Sequence, residues 1–154
     1  MGFEIERKFL VRDPSVLEGR TGIAYRQGYL SLDPSRTVRV RQAGEHGFLT
    51  VKGRDHGGSR AEFEYEIPLD EAGALLDLCE RPLIDKTRYR IDHASLTWEV
   101  DVFHGANDGL IVAEVELERA DQPVDLPDWV GDEVTSDPRY YNANLAARPY
   151  RSWD

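Results

Sequence analysis

Eight stretches of this chain alternate apolar and polar residues with a period of two, and that repeat limits the fold more than any other feature. The first runs Phe3-Glu4-Ile5-Glu6-Arg7-Lys8-Phe9. It puts Glu4, Glu6 and Lys8 on one face and Phe3, Ile5 and Phe9, with Arg7 among them, on the other. Strict alternation argues for half-buried β-strands. The remaining stretches cover about 23–32, 37–41, 48–52, 61–67, 84–92, 95–103 and 110–118. Asp33-Pro34-Ser35, Gly44 to Gly47 and His104 to Gly109 read as turns between them. Hairpin-length links joining so many strands predict a mainly β fold, an antiparallel barrel or a strongly curved sheet.

A few helices flank the strands. Pro14 to Glu18 reads as a short one. Asp70 is the expected N-cap of a helix reaching about Leu78, with Ala72, Leu75, Leu76 and Leu78 along one stripe. Residues 140–147, rich in Ala, Leu and Asn, read as a C-terminal helix, and 121–128, rich in Asp and Pro, as an exposed excursion. The loop over 53–59 is glycine-rich but has no following Gly-Lys-Ser/Thr, so it is not a P-loop.

On seven of the eight stretches one face collects charge. The acids are Glu4, Glu6, Glu62, Glu64, Asp101, Glu114 and Glu116; the bases are Lys8, Arg39, Arg41, Lys52, Lys86 and Arg88. Two arrangements fit. The charged faces can point to water around an apolar interior, or they can line a closed sheet whose apolar faces pack on outer segments. A closed eight-stranded barrel is wide enough for side chains or one small ligand. A charged lumen needs partners, because an unpaired buried charge costs several kcal/mol. Acids can share divalent cations and bases a polyanion, a combination suited to phosphoryl chemistry. Periodicity alone does not choose between the two.

Composition narrows the classes further. At 154 residues the chain fits a single domain over 1–154. A net charge of −10 argues against nucleic acid and membrane surfaces as partners. Cys79 is the only cysteine, which excludes an intrachain disulfide and fits a reducing, cytoplasmic setting. His46, His56, His93 and His104 fall in or beside turns with no paired spacing, and read as surface residues rather than metal ligands. Trp98 and Tyr89 lie on apolar faces and read as packing, whereas Tyr29 is a candidate to reach a tunnel mouth.

Taken in order, the charged stretches resemble a known family. Glu4-x-Glu6-x-Lys8 at the start looks like the ExExK signature of the CYTH superfamily, the triphosphate tunnel metalloenzymes. The likeness continues through Thr37-Val38-Arg39-Val40-Arg41, Thr50-Val51-Lys52-Gly53, Glu62-Phe63-Glu64-Tyr65-Glu66, Lys86-Thr87-Arg88-Tyr89, Trp98 to Phe103 and Ala113 to Leu117. ExExK alone is a weak pattern; the ordered set is specific. The resemblance implies an eight-stranded antiparallel tunnel with charges inside, a C-terminal helix that plugs one mouth, and Mg²⁺- or Mn²⁺-dependent chemistry on triphosphates. It makes Glu4, Glu6, Asp101, Glu114 and Glu116 the metal-side candidates. Lys8, Arg39, Arg41, Lys52, Lys86 and Arg88 become the phosphate-side candidates, with Glu62 and Glu64 orienting the bases. Lys8, Lys86 and Glu116 are the residues implied in catalysis, and either lysine could steady the leaving oxygen. The opening Glu-Ile-Glu-Arg-Lys-Phe looks most like compact bacterial inorganic triphosphatases. An adenylate cyclase, a thiamine triphosphatase and a non-catalytic polyphosphate binder are the alternatives, and a homodimer is compatible with all of them.

Overall fold

A computed structural model of the chain describes residues 2–57 and 59–153. The strands are β1 (Gly2–Val11), β2 (Ile23–Ser31), β3 (Arg36–Ala43), β4 (His46–Gly53), β5 (Ser59–Ile67), β6 (Ile84–His93), β7 (Leu96–Phe103), β8 (Ile111–Glu116) and β9 (Val130–Glu133); the helices are α1 (Leu69–Leu76) and α2 (Asn142–Ala147). Of the loop expected over 53–59, Gly58 lies outside the described residues.

The strands form one sheet in the order β5-β4-β3-β2-β6-β7-β8-β1-β9, and β5 also pairs with β1. That last pairing, Gly2↔Glu62 to Ile5↔Ser59, closes eight strands into a ring, with every neighbour antiparallel. The ring decides the question of facing. Arg39, Arg41, Lys52, Lys86, Arg88, Asp101 and Glu114 are buried. An open sheet with charges outward would leave them in water.

The apolar faces turn outward and need cover. Phe9, Trp98, Val100, Ala113 and Val115 pack beneath the 3₁₀ turn at Pro14–Leu17, Trp129 and Val130. Trp98 lies between Phe9, tilted against it, and Trp129, edge-on to it, with ring centroids 5.4 and 5.7 Å away. On the other flank α1 covers β2 to β4 through Ala72 and Leu76, with Cys79 just beyond its end, against Val40. Two glycines let it lie close: a Cβ at Gly28 or at Gly47 would stand 2.6 Å from Cys79 Cβ or Ala72 Cβ. The outer face of β5 carries no such cover, and Phe63 and Tyr65 are exposed.

A third apolar cluster sits at one end of the ring. Tyr29, Ile84, Phe103, Leu110 and Val112 meet Leu145 and Ala146 of α2, which thereby plugs that end. No helix among the described residues is long and apolar enough to cross a membrane.

Three expectations change. Helix α1 starts at Leu69 behind Pro68, so Asp70 is a first-turn residue rather than the N-cap. Its charge still favours the positive helix end. Leu78 falls beyond the helix and is 72% exposed, so it is no part of the buried stripe. A ninth strand, β9, pairs with the end of β1 through Phe9↔Glu133 and Val11↔Val130. Four residues reading Val-Gly-Asp-Glu are too few and too acidic to show alternation. It explains Arg7, whose guanidinium leaves the apolar face to bind Glu133 at 2.7 and 2.9 Å.

Candidate active site

The lumen holds a cavity of about 790 Å³, lined by Glu4, Glu6, Lys8, Arg39, Arg41, Lys52, Glu62, Glu64, Arg88, Glu114 and Glu116, among others. It is within the usual size of a small-molecule site. Lys86 and Asp101 do not line it: their side chains are wholly buried, paired at 2.7 Å. Glu116 lies at the opposite extreme, exposed at the end of β8.

Register explains the acidic side. Lys8 pairs with Glu114 and Glu6 with Glu116 across β1 and β8, so four carboxylates converge once Glu4 is added. Glu4 accepts from Lys52 Nζ at 2.9 and 3.0 Å and from Arg60 Nε at 3.2 Å. Burial opposes its charge, but Lys52 and Arg60 bring the carboxyl down to about 2. Glu114 accepts from Lys8 Nζ at 3.0 Å. Burial works against this charge too, and Lys8 and Arg88 outweigh it, holding the carboxyl well below the usual range. Glu6 is left with the long side of Lys8, at 3.6 Å. Burial and the neighbouring Glu114 push it up to about 8. A carboxyl forced toward its neutral form by burial and a neighbouring carboxylate is where an added cation is most favourable.

The basic side runs along β3, β4 and β6. Arg39 Nη2 donates to Thr50 Oγ1 at 3.2 Å and Glu64 Oε2 at 3.4 Å, while its buried Nε has no partner among the described residues. Arg41 Nε donates to Gln27 Oε1 at 2.8 Å. Burial, with Arg39 and Arg88 nearby, lowers this guanidinium to about 10. Arg88 forks onto Asp101 at 2.7 and 2.8 Å. Arg41, Arg88 and Lys86 share one aromatic partner, Tyr25, whose ring centroid is 4.8, 5.0 and 5.9 Å away. Burial pulls the Lys86 ammonium down to about 7; Asp101 opposes the shift and Arg88 adds to it.

Strands β8 and β3 are four steps apart either way round the ring, so the carboxylates of one face the guanidiniums of the other. Family membership follows from how the whole chain matches. The CYTH domain pattern matches residues 2–150. The chain belongs to the CYTH family. It is 49% identical over 154 residues to the inorganic triphosphatase of Acetivibrio thermocellus, covering 99% of both chains. With the inorganic triphosphatase of Nitrosomonas europaea it shares 40% identity over 149 residues, 93% of this chain and 96% of that one. A crystal structure of the inorganic triphosphatase NE1496 superposes with a TM-score of 0.66 at 36% identity, covering 92% of this chain and 96% of that one.

CYTH membership carries an implied divalent cation. Among the described residues no three carboxyl, thiol or imidazole groups form a ready-made metal cage, because Lys8 and Lys52 thread between the acids. The donor set nonetheless fits a hard cation: it is all oxygen, and Glu6 is held without adequate neutralisation.

Several site residues escape a reading by charge. Tyr25 and Gln27 are uncharged and Asn142 sits in a helix, whereas Glu99, which lines the cavity and pairs with Arg88 at 3.3 Å, had a usable signal in sharing the charged face of Asp101. Arg60 had a usable signal: the alternation of Glu62 and Glu64 extends back to it, because β5 starts at Ser59. Tyr29 is buried beside the plug and lines the cavity.

Proposed function

We propose that the chain hydrolyses inorganic tripolyphosphate, with Mg²⁺ or Mn²⁺ as cofactor. One observation carries this reading. The two walls of one lumen are each left short of opposite charge: Arg41 has a neutral amide as its hydrogen-bond acceptor and Arg39 Nε has none among the described residues, while Glu6 is crowded by acids. A linear polyanion that brings divalent cations answers both at once. The 49% identity to an inorganic triphosphatase supports the same substrate.

Arg39, Arg41, Lys52 and Arg88 grip the phosphate oxygens and fix the chain's register, the guanidiniums in bidentate fashion. Glu62 and Glu64 hold Lys52 and Arg39, at 3.4 Å each. Glu4, Glu6, Glu114 and Glu116 hold the cation. A bound cation would supply neutralisation of charge on the phosphoryl oxygens and activation of water for attack. Asp101 is assigned a different task from theirs: both its oxygens accept from Arg88 and Lys86, so it braces the bases. Lys8 lines the cavity. Burial opposes its charge, but Glu114 and Glu6 raise its pKa above the ordinary lysine range, which suits it to steady negative charge on the leaving oxygen. Lys86 is sealed and acts from behind. Little covalent work falls to the protein, so positioning and electrostatics carry the rate.

Phosphate release measured over tripolyphosphate, pyrophosphate, ATP and thiamine triphosphate with Mg²⁺ and Mn²⁺ tests this. Tripolyphosphate should have the highest kcat/KM. Cyclic AMP from ATP would favour a cyclase, thiamine triphosphate as preferred substrate a thiamine triphosphatase, and binding without release a non-catalytic module.

A further inference from the structure

A chain of polar contacts leads from the plug helix into the basic wall. Lys86 Nζ donates to Asp101 Oδ2 at 2.7 Å and to Asn142 Oδ1 at 3.1 Å. The same Asn142 oxygen accepts from Gln27 Nε2 at 3.2 Å, and Gln27 Oε1 accepts from Arg41 Nε at 2.8 Å. Gln27 is fully buried, and Asn142 lines the cavity as the first residue of α2. Asp101 also holds Arg88, so this one chain ties together the two guanidiniums that flank Tyr25.

The orientation of both amides is dictated from the ends. An ammonium and a guanidinium only donate. Lys86 therefore fixes the Asn142 oxygen inward, which turns the Gln27 amino group toward Asn142 and leaves the Gln27 oxygen for Arg41. The relay is also neutral. A carboxylate in place of either amide would bind Arg41 or Lys86 more strongly, and would then oppose an incoming polyanion. An amide holds the guanidinium in direction without cancelling its charge.

We infer that Gln27 and Asn142 are positioning residues for substrate: the plug helix, through Asn142, sets the direction in which Arg41 meets the phosphate chain. The inference rests on the tripolyphosphate reading above. It gives α2 a role in binding as well as in closing one end.

Calorimetric titration of tripolyphosphate into the whole protein in EDTA tests it apart from turnover. Wild-type protein, Asn142→Ala, Asn142→Asp, Gln27→Met, the Asn142→Ala/Gln27→Met double variant and Leu145→Ala are compared. Gln27→Met keeps the buried volume but cannot bond. Each of Asn142→Ala and Gln27→Met should raise Kd about fivefold, the scale of one ordinary lost hydrogen bond. Asn142→Asp keeps the shape and should raise Kd by about tenfold through repulsion. The double variant should be no worse than the weaker single, since both break one relay. Leu145→Ala trims a buried apolar contact of the same helix and keeps every hydrogen-bonding group of the relay. It should lower the melting temperature while leaving Kd within about twofold of wild type, because the relay is untouched. Losses that add in the double variant, a wild-type Kd in Asn142→Asp, or a Kd in Leu145→Ala as weak as in Asn142→Ala would each overturn the relay. No binding by wild-type protein would overturn the tripolyphosphate reading itself, and the relay's purpose with it.

Discussion

On the β1–β8 wall the acids meet full charges: Glu4 takes Lys52 and Arg60, and Glu114 takes Lys8. On the facing β3 wall the bases lean largely on neutral groups: Arg41 on the Gln27 amide and the Tyr25 ring, Arg39 on Thr50 and a long contact to Glu64. The difference follows from chemistry. A guanidinium keeps its charge under burial, so neutral partners can hold it ready for an anion. A carboxyl can escape burial by taking up a proton, and Glu6, whose ion pair is the long 3.6 Å contact to Lys8, is shifted that way. One wall is thus charged at any ordinary pH, while the other depends on pH and on cations.

The largest expected consequence is on turnover. Glu114→Gln is nearly isosteric and removes a carboxylate at the centre of the acidic wall. If that charge supplies about 3 kcal/mol in the transition state, kcat falls by about a hundredfold, with tripolyphosphate binding in EDTA retained. Glu116→Gln, out at the mouth, should cost less. Equal losses in the two variants would show that depth in the lumen does not matter. On the opposite wall, Arg41→Ala should raise KM by about tenfold or more, and Arg41→Lys should recover only part of it, since an ammonium lacks the planar fork. Full recovery in Arg41→Lys would reduce the basic wall to simple charge.

A smaller effect distinguishes the walls by pH. The Glu6 carboxyl is raised in the folded state, to about 8 from an ordinary 4.5. Between those values the folded protein binds more protons than the unfolded one, so stability from this group is present below about 4.5 and is lost as pH rises toward 8. Lys86, lowered to about 7, contributes in the opposite sense above that point. The clean window is therefore about pH 5 to 7. In EDTA the melting temperature should fall by a few degrees across it, and saturating Mg²⁺ should flatten the fall. A slope unchanged by Mg²⁺ would place the cation away from Glu6.

Much of this arrangement can be read from residue order, because a strand's charged face is plain in every second residue: Glu4, Glu6 and Lys8, or Arg39 and Arg41. Direction is not. Alternation looks the same whether a face points to water or into a lumen, and only the Gly2–Ile5 pairing with Ser59–Glu62 closes the ring. Depth is hidden as well. Asp101 and Lys86 alternate like their neighbours, yet both are sealed beneath the cavity wall. Gln27 and Asn142 were invisible because their contribution is to be uncharged, and β9 because four residues carry too little pattern.

The central claim is that opposite charges inside one lumen form a preformed site for a triphosphate chain, and thermal unfolding in EDTA measures it most directly. Tripolyphosphate at about a hundred times its Kd should stabilise the protein by roughly 2.7 kcal/mol, or about 5 to 10 °C for a chain of this size. Pyrophosphate should do less, and sulfate at matched ionic strength much less, since it cannot span several bases at once. Equal shifts from tripolyphosphate, pyrophosphate, sulfate and sodium chloride would contradict a preformed triphosphate site.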